Sequence, residues 1–306
     1  MATQVLLSSP RTAFLPEPGC RGHANLTQQR WETVLQRLEQ SLAPAGFDIV
    51  HPLSVAWYNQ CVQDPSEQLP ASSRGGNTLA VLVGNTKNLW DRFRTAYGKE
   101  ASLQEDEDPL DSYTQRCVQA AADSLGRPSQ IFWGHEAKSM AINGPSTELQ
   151  QMASLAGLIY WDGASGLSLH PKYGSWFALR AVLVFDGLDY TGQRPEPLVN
   201  PMSSTTQAYL QMASRSARHP SMDNLAEAGS QSPHLEGRRS SGSQERPLTR
   251  QLMRSRWQRW VAVRDAPCPG HPWRYCPAML QYHYTGDCAC LQGSARALLG
   301  DRRLTA

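Results

Sequence analysis

The sequence predicts one large domain that mixes helices with strands, and three observations carry that prediction. Residues 78–83 read as a strand buried on both faces and closed by Gly84, and a helical pattern of Leu89, Trp90, Phe93 and Tyr97 follows at once. Residues 175–185 read as a longer strand with apolar side chains on both faces, the pattern of a central strand covered from both sides. Apolar residues make up 40% of the 306-residue chain, enough for a sizeable core around such strands.

Taken in order, Trp31, Val34, Leu35, Leu38 and Leu42 recur at helical spacing before the breakers Pro44 and Gly46, so the folded part opens with an amphipathic helix. Asp108 as N-cap and Pro109 at the first helical position introduce a second, which packs through Leu110, Tyr113, Cys117 and Ala121 and stops at Gly126. Residues 130–133 form a short strand, and Ser146 caps a helix carrying Leu149, Met152, Ala153 and Ala156. Another strand begins at Ile159, and 162–174 is a loop. Between Pro195 and Arg250 the chain turns to Ser, Gln, Arg, Gly and Pro, too poor in large apolar residues to offset the entropy of ordering. The predicted organisation is a disordered amino terminus over 1–24, one domain assembled from 25–194 and 251–300, a disordered insertion over 195–250, and a tail over 301–306.

Lysines and arginines number 29 against 27 acidic residues, a formal charge of +2. No global field therefore draws the chain to nucleic acid or to an anionic membrane, and anion recognition must be local. No apolar run approaches the roughly 20 residues of a membrane span. These features predict a cytoplasmic protein with no nucleic-acid and no membrane partner. Residues 1–23 hold Arg11 and Arg21 and no acid before Glu17, a composition shared by terminal disorder and by a mitochondrial presequence. Seven cysteines are too sparse for a disulfide scaffold, although Cys268, Cys276, Cys288 and Cys290 crowd the carboxyl end with His271 and His283.

The chemistry centres on an arginine. Phe177, Leu179, Ala181, Leu183 and Phe185 share one face of the long strand, and Trp176, Ala178, Arg180, Val182 and Val184 share the other. Arg180 is the odd residue, and an unpaired buried charge would cost several kcal/mol. Its partner is either a carboxylate of the same domain or a carboxylate or phosphate ligand held by the planar guanidinium.

The run His170-Pro171-Lys172-Tyr173-Gly174-Ser175-Trp176-Phe177-Ala178-Leu179-Arg180 resembles the HPRFGGWFAIR segment of the CblC family, the methylmalonic aciduria and homocystinuria type C proteins. Shorter matches lie collinearly on both sides. Before it stand Val55-Ala56-Trp57-Tyr58-Asn59, Thr78-Leu79-Ala80 with Asp91-Arg92, Asp108-Pro109-Leu110-Asp111 and Leu155-Ala156-Gly157; after it stand Trp257, Trp260, Arg264-Asp265-Ala266, Arg274-Tyr275, and Arg296 with Leu298-Leu299. The resemblance implies an α+β fold on a flavin nitroreductase-like scaffold, with a central, mainly antiparallel sheet flanked by helices. It implies a cyanocobalamin reductase and alkylcobalamin dealkylase that binds cobalamin base-off, passes alkyl ligands to glutathione and removes cyanide reductively with FMN or FAD. A CblD-type partner and a monomer or ligand-induced homodimer follow from the same likeness.

Cobalt performs the redox step in such a reaction, so no catalytic side chain and no protein-held metal are implied. Carried over by position, the cobalamin contacts are Glu136, Thr147, Glu148, Leu149, Gln150, Trp161, Asp162, Gly163, Ser168 and Leu179, and the glutathione contacts are Arg180, Arg264 and Arg296. Trp57, Tyr58, Tyr160, Trp161 and Tyr275 are available as aromatic walls for a corrinoid. Two departures bear on the cobalamin side: Ser154 stands where well-known members have a histidine, and the loop between Trp161 and His170 is shorter than in vertebrate members.

Three other readings compete. A non-catalytic cobalamin carrier would share the corrin contacts but has no need of the arginines. The carboxyl-terminal cysteines and histidines admit a metal or iron–sulfur centre, and with residues 156–176 bring in the cobalamin-dependent epoxyqueuosine reductases, although only Cys288-Ala289-Cys290 is close-set and repeated C-x-x-C spacing is missing. Tyr282-His283-Tyr284 with Arg250, Arg254, Arg256 and Arg259 offers stacking and charge for a single-stranded nucleic acid, but forms no recognised motif.

Overall fold

The computed structural model describes residues 23–72, 77–135, 145–218 and 254–291. Four strands form the main sheet: β1 (Ile49–Ser54), β2 (Thr78–Asn85), β3 (Gln130–Trp133) and β6 (Ala178–Asp189), antiparallel throughout in the order β1-β2-β6-β3. β4 (Tyr160–Asp162) and β5 (Leu167–Leu169) make a separate hairpin. Every residue of β2 is buried, as its two apolar faces require, and β6 lies beside it with Ala181 to Phe185 buried. The expected mixture of helices with a mainly antiparallel central sheet is what forms.

Helices α1 (His23–Leu42), α2 (Val55–Asn59), α3 (Leu89–Tyr97), α4 (Ala101–Gln104), α5 (Pro109–Ser124) and α6 (Pro145–Leu155) surround this sheet. α1 buries Val34, Leu38 and Leu42 along one stripe and ends where Gly46 takes a left-handed φ of 94°. A Cβ at Gly46 would lie 2.6 Å from the Leu89 Cα, so only glycine lets the start of α3 approach. Among the described residues no helix is long and apolar enough to cross a membrane.

Several expectations need correction. The long strand begins at Ala178 rather than at residue 175 and runs on to Asp189. β2 ends at Asn85, opposite Ala178, and the carbonyls of Ser175 and Phe177 are taken by the Arg264 guanidinium instead of a strand. Asp108 occupies the cap position of α5, but its side chain makes no cap; Asp106 accepts from the Asp108 amide at 2.9 Å and from the Ser112 hydroxyl at 2.6 Å. α6 starts at Pro145, which puts Ser146 inside the first turn rather than ahead of it. The stretch 162–174 is not all loop, because it contains β5.

The largest correction concerns the segment expected to be a disordered insertion from 195 to 250. Its residues 204–218 form α7 (Ser204–Arg218), capped by Ser203, whose hydroxyl accepts from the Thr206 amide at 3.1 Å. Leu210, Ser214 and Ala217 are its buried face, packed on α8 (Trp257–Asp265) through Val263 and Ala266. Arg259 reinforces the pair by donating to the Ser216 carbonyl at 3.0 Å. A stripe of one leucine and small residues packs closely without looking apolar in sequence. Residues 219–253 and the terminal segments 1–22 and 292–306 lie outside the described residues.

Candidate functional site

Two cavities of similar size touch α9 (Pro277–Thr285), whose Met279, Leu280 and Tyr282 are buried in the core. The first, of about 400 Å³, has charged side chains of both signs in its lining. Asp108, Leu110 and Asp111 line it from the start of α5, Gly134 and His135 from the end of β3, Arg180 from β6, and Tyr282, His283, Tyr284 and Gly286 from α9, with Arg254 beside Gly286. Arg180 donates through Nε to Asn85 Oδ1 at 2.7 Å, and its Nη1 lies 3.9 Å from Asp111 Oδ1. Both alternatives for its partner thus meet here: a same-domain carboxylate is near, yet among the described residues only one short bond serves a side chain with five donors. Its side chain is 15% exposed, toward the cavity.

The second cavity, of about 390 Å³, is mostly apolar. Leu149 and Gln150 of α6, Gly166 to Ser168 of the hairpin, residues 177–179 leading into β6, Ser175, Arg264 and His283 form its wall. Gln150 ties helix to hairpin by donating to the Gly166 carbonyl at 3.2 Å. Gly134 lets α6 come close, since a Cβ there would lie 2.8 Å from Leu149 Cδ1. The Ser168 hydroxyl is buried in this wall and, among the described residues, has no hydrogen-bond partner. An orphaned buried hydroxyl beside a cavity is what a ligand's polar group would satisfy.

Of the carried-over cobalamin contacts, Leu149, Gln150, Ser168 and Leu179 converge on this second cavity. Asp162 and Gly163 do not line it: Asp162 closes the hairpin turn, accepting from the Ser165 amide at 3.1 Å and the Ser165 hydroxyl at 2.5 Å. Glu148 faces elsewhere, toward Glu67 and Tyr58, and burial followed by the charge of Glu67 raises its carboxyl pKa. Trp161 packs against the core outside the cavity wall. Glu136 lies outside the described residues, as does the side chain of Thr147. Trp57, Tyr58 and Tyr275, offered as aromatic walls, are core residues, with Trp57 against Tyr190 and Tyr275 against Trp176.

The three arginines part company. Arg180 stands in the first cavity and Arg264 in the wall of the second, while Arg296 lies outside the described residues. Arg264 is 8% exposed and already engaged: it donates to the Ser175 carbonyl through Nε at 3.0 Å and to the Phe177 carbonyl through Nη2 at 3.0 Å. Its guanidinium lies against two neighbouring rings, Trp176 and Tyr275, with centroids 4.6 and 4.7 Å away. The Ser175 hydroxyl returns a bond of 2.6 Å to the Arg264 carbonyl.

His283 and Arg254 are the site residues that the sequence did not single out for this place. His283 is exposed and fronts both cavities. Burial, then Arg264, then Arg180 hold its imidazole well below the usual histidine range. The only sequence signal was the run of three rings at 282–284. Cys268, Cys276, Cys288 and Cys290 are free thiols, and burial with Asp287 pushes Cys290 up to about 11. Among the described residues no three His, Cys, Asp or Glu side chains are grouped as a metal site would be.

Comparison with known proteins bears on this arrangement. The methylmalonic aciduria and homocystinuria type C family matches residues 46–211, just over half of the chain. The cyanocobalamin reductase / alkylcobalamin dealkylase of Mus musculus is 28% identical over 174 residues, 52% of this chain and 60% of that protein. Its Homo sapiens counterpart is 30% identical over 168 residues, 50% of this chain and 57% of that protein. The matched stretch thus spans about 60% of these relatives' length. A crystal structure of a C. elegans B12-trafficking protein CblC superposes with a TM-score of 0.60 at 17% identity, covering 86% of this chain and 96% of that one.

Proposed function

The chain belongs to the methylmalonic aciduria and homocystinuria type C family, and from that premise we propose that it binds cobalamin base-off and removes its upper axial ligand. Alkyl groups pass to the thiolate of glutathione, and cyanide leaves by reduction with a reduced flavin, FMN or FAD. The observation that carries this reading is the pairing of cavities: Leu149, Gln150, Ser168 and Leu179 converge on one, and Arg180 stands in its neighbour. An apolar wall with one unsatisfied hydroxyl suits the edge of a corrin ring, although a cavity of about 390 Å³ seats only part of so large a ligand. Arg180, with donors to spare, suits a carboxylate of glutathione. Glutathione also carries an ammonium group, for which Asp108 and Asp111 line the same cavity.

The cobalt of the substrate supplies the redox chemistry, and the chain binds, orients and shields. Arg264, with its donors spent on the carbonyls of Ser175 and Phe177, is assigned to shaping the corrin cavity rather than to holding glutathione. The scaffold is assigned to the flavin nitroreductase-like type, in a single domain built from residues 25–194 and 251–300 together with α7, working in the cytoplasm, with a CblD-type protein as partner. In this reading Arg296, Glu136 and Thr147 complete the two binding sets.

The test is spectroscopic. Purified protein should shift methylcobalamin to its base-off spectrum, and glutathione should then remove the methyl group as its thioether. An unchanged spectrum at saturating protein would overturn the reading. A base-off shift with no thiol-dependent loss of methyl would leave a carrier in its place.

A further inference from the structure

One side chain is common to the two cavities: among the described residues, His283 alone lines both. Arginine only donates, so the 3.4 Å contact between Arg264 Nη1 and His283 Nε2 makes Nε2 the acceptor and leaves the ring proton on Nδ1. No other hydrogen bond to this ring is found among the described residues. Burial, Arg264 and Arg180 keep the imidazole neutral around pH 7, so it offers one N–H donor and no positive charge of its own.

We propose that His283 holds the sulfur of the thiol co-substrate where the cavities meet, its Nδ1–H donating to the thiolate as that sulfur reaches the cobalamin. This rests on the function proposed above. A thiol anchored by a carboxylate on Arg180 lies in the first cavity, whereas the cobalt-bound carbon belongs to the second, and His283 is the residue common to both. The charged groups around the ring favour an anion at that point. Arg180 faces it from β6 and Arg264 from α8, and both guanidiniums act on the ring; Asp108 and Asp111 of α5 face the first cavity. Arg254, His135 and the hydroxyls of Tyr282 and Tyr284 complete the surroundings and bring no further carboxylate. Cations and a donated N–H together lower a thiol's pKa.

The step then balances. The thiol releases its proton to solvent, the thiolate sulfur bonds to the methyl carbon, and the cobalt–carbon bond breaks with its electron pair left on cobalt, which passes from Co(III) to Co(I).

The experiment titrates glutathione bound to the full-length protein, reading thiolate by its ultraviolet absorbance, beside the pH profile of methyl transfer from methylcobalamin. His283→Phe should raise the pH of half-ionisation by about one unit, about tenfold less thiolate at a given lower pH, with glutathione affinity changed far less. His283→Gln keeps an N–H donor, should recover part of the shift, and guards against a folding defect. A His283→Phe variant that binds glutathione with wild-type ionisation overturns the proposal, as does wild-type protein that binds none. Wild-type protein that ionises bound glutathione through His283 but transfers no methyl group would retract the function proposed above and overturn the delivery to cobalamin, leaving His283 as a thiol-holding residue only.

Discussion

Arg180 and Arg264 flank the same histidine, and a motif-level reading gives them the same task, yet their surroundings differ in kind. Arg264 has its Nε and Nη2 donors directed at main-chain carbonyls and its guanidinium packed against Trp176 and Tyr275. Arg180 has one amide partner, a carboxylate at 3.9 Å and open cavity in front of it. A buried guanidinium whose hydrogen bonds are met inside the protein is part of the fold; one left short of partners beside a cavity is ready for a ligand.

The largest effect should come from breaking the satisfied side of this pair. Arg264→Met strands the buried carbonyls of Ser175 and Phe177 and should cost about 3 kcal/mol, or about 10 °C in Tm, read by thermal unfolding. A Tm within a degree or two of wild type would mean that these bonds are replaceable by water. Acid should act next. His283 and His51 are held low chiefly by burial, and His170 is lowered to about 4 by burial with His51 and Lys172. Below about pH 6.5 the unfolded chain takes up protons that the folded one refuses. The stability these groups contribute is therefore complete above that pH and should fall as pH drops from 6.5 toward 4. His283→Phe should flatten the slope, and an unaltered slope would assign the acid sensitivity to His51 and His170.

On the other side of the comparison, Arg180→Gln should leave Tm nearly unchanged and weaken glutathione binding by about thirtyfold, roughly 2 kcal/mol. Arg254→Gln, at the more open rim, should weaken it by about fivefold, roughly 1 kcal/mol. Calorimetric titration checks both. A large Tm loss in Arg180→Gln with unaltered thiol affinity would make Asp111 its true partner and erase the contrast with Arg264. The smallest effect belongs to Ser168→Ala, which removes a hydroxyl with no internal partner. It should move stability by less than about 0.5 kcal/mol while lowering cobalamin affinity several-fold.

What was legible in the sequence followed from strong local signals. The two-faced apolar run of β2, the stripe of α1 and the proline start of α5 mark elements that local pattern nearly dictates. α7 escaped because its buried stripe is one leucine with a serine and an alanine, so composition resembled disorder while small side chains let α7 and α8 pack closely. The start of β6 was misplaced because residues 175–177 look like strand, and what stops them pairing as strand is a guanidinium 89 positions later. At the site, likeness to a family named Leu149, Gln150, Ser168 and Leu179, which line one cavity together, and also Asp162, which serves its own turn. His283 could not be singled out, because its importance is a matter of position between two cavities, and no spacing along the chain encodes that.

The bond between Arg264 and Ser175 also sets an order of events. Arg264 is synthesised 89 positions after Ser175, and only then can the two meet. Domains tend to form as the chain emerges, and contacts of long sequence separation come late. Strands β1, β2, β3 and β6 can pair while α8 is still unmade, but the entry to β6 stays unclasped until Arg264 arrives. The second cavity, whose wall includes Ser175, Phe177, Arg264 and His283, is therefore among the last parts of the molecule to take shape. A nascent chain halted before residue 264 would carry its sheet and lack its binding wall.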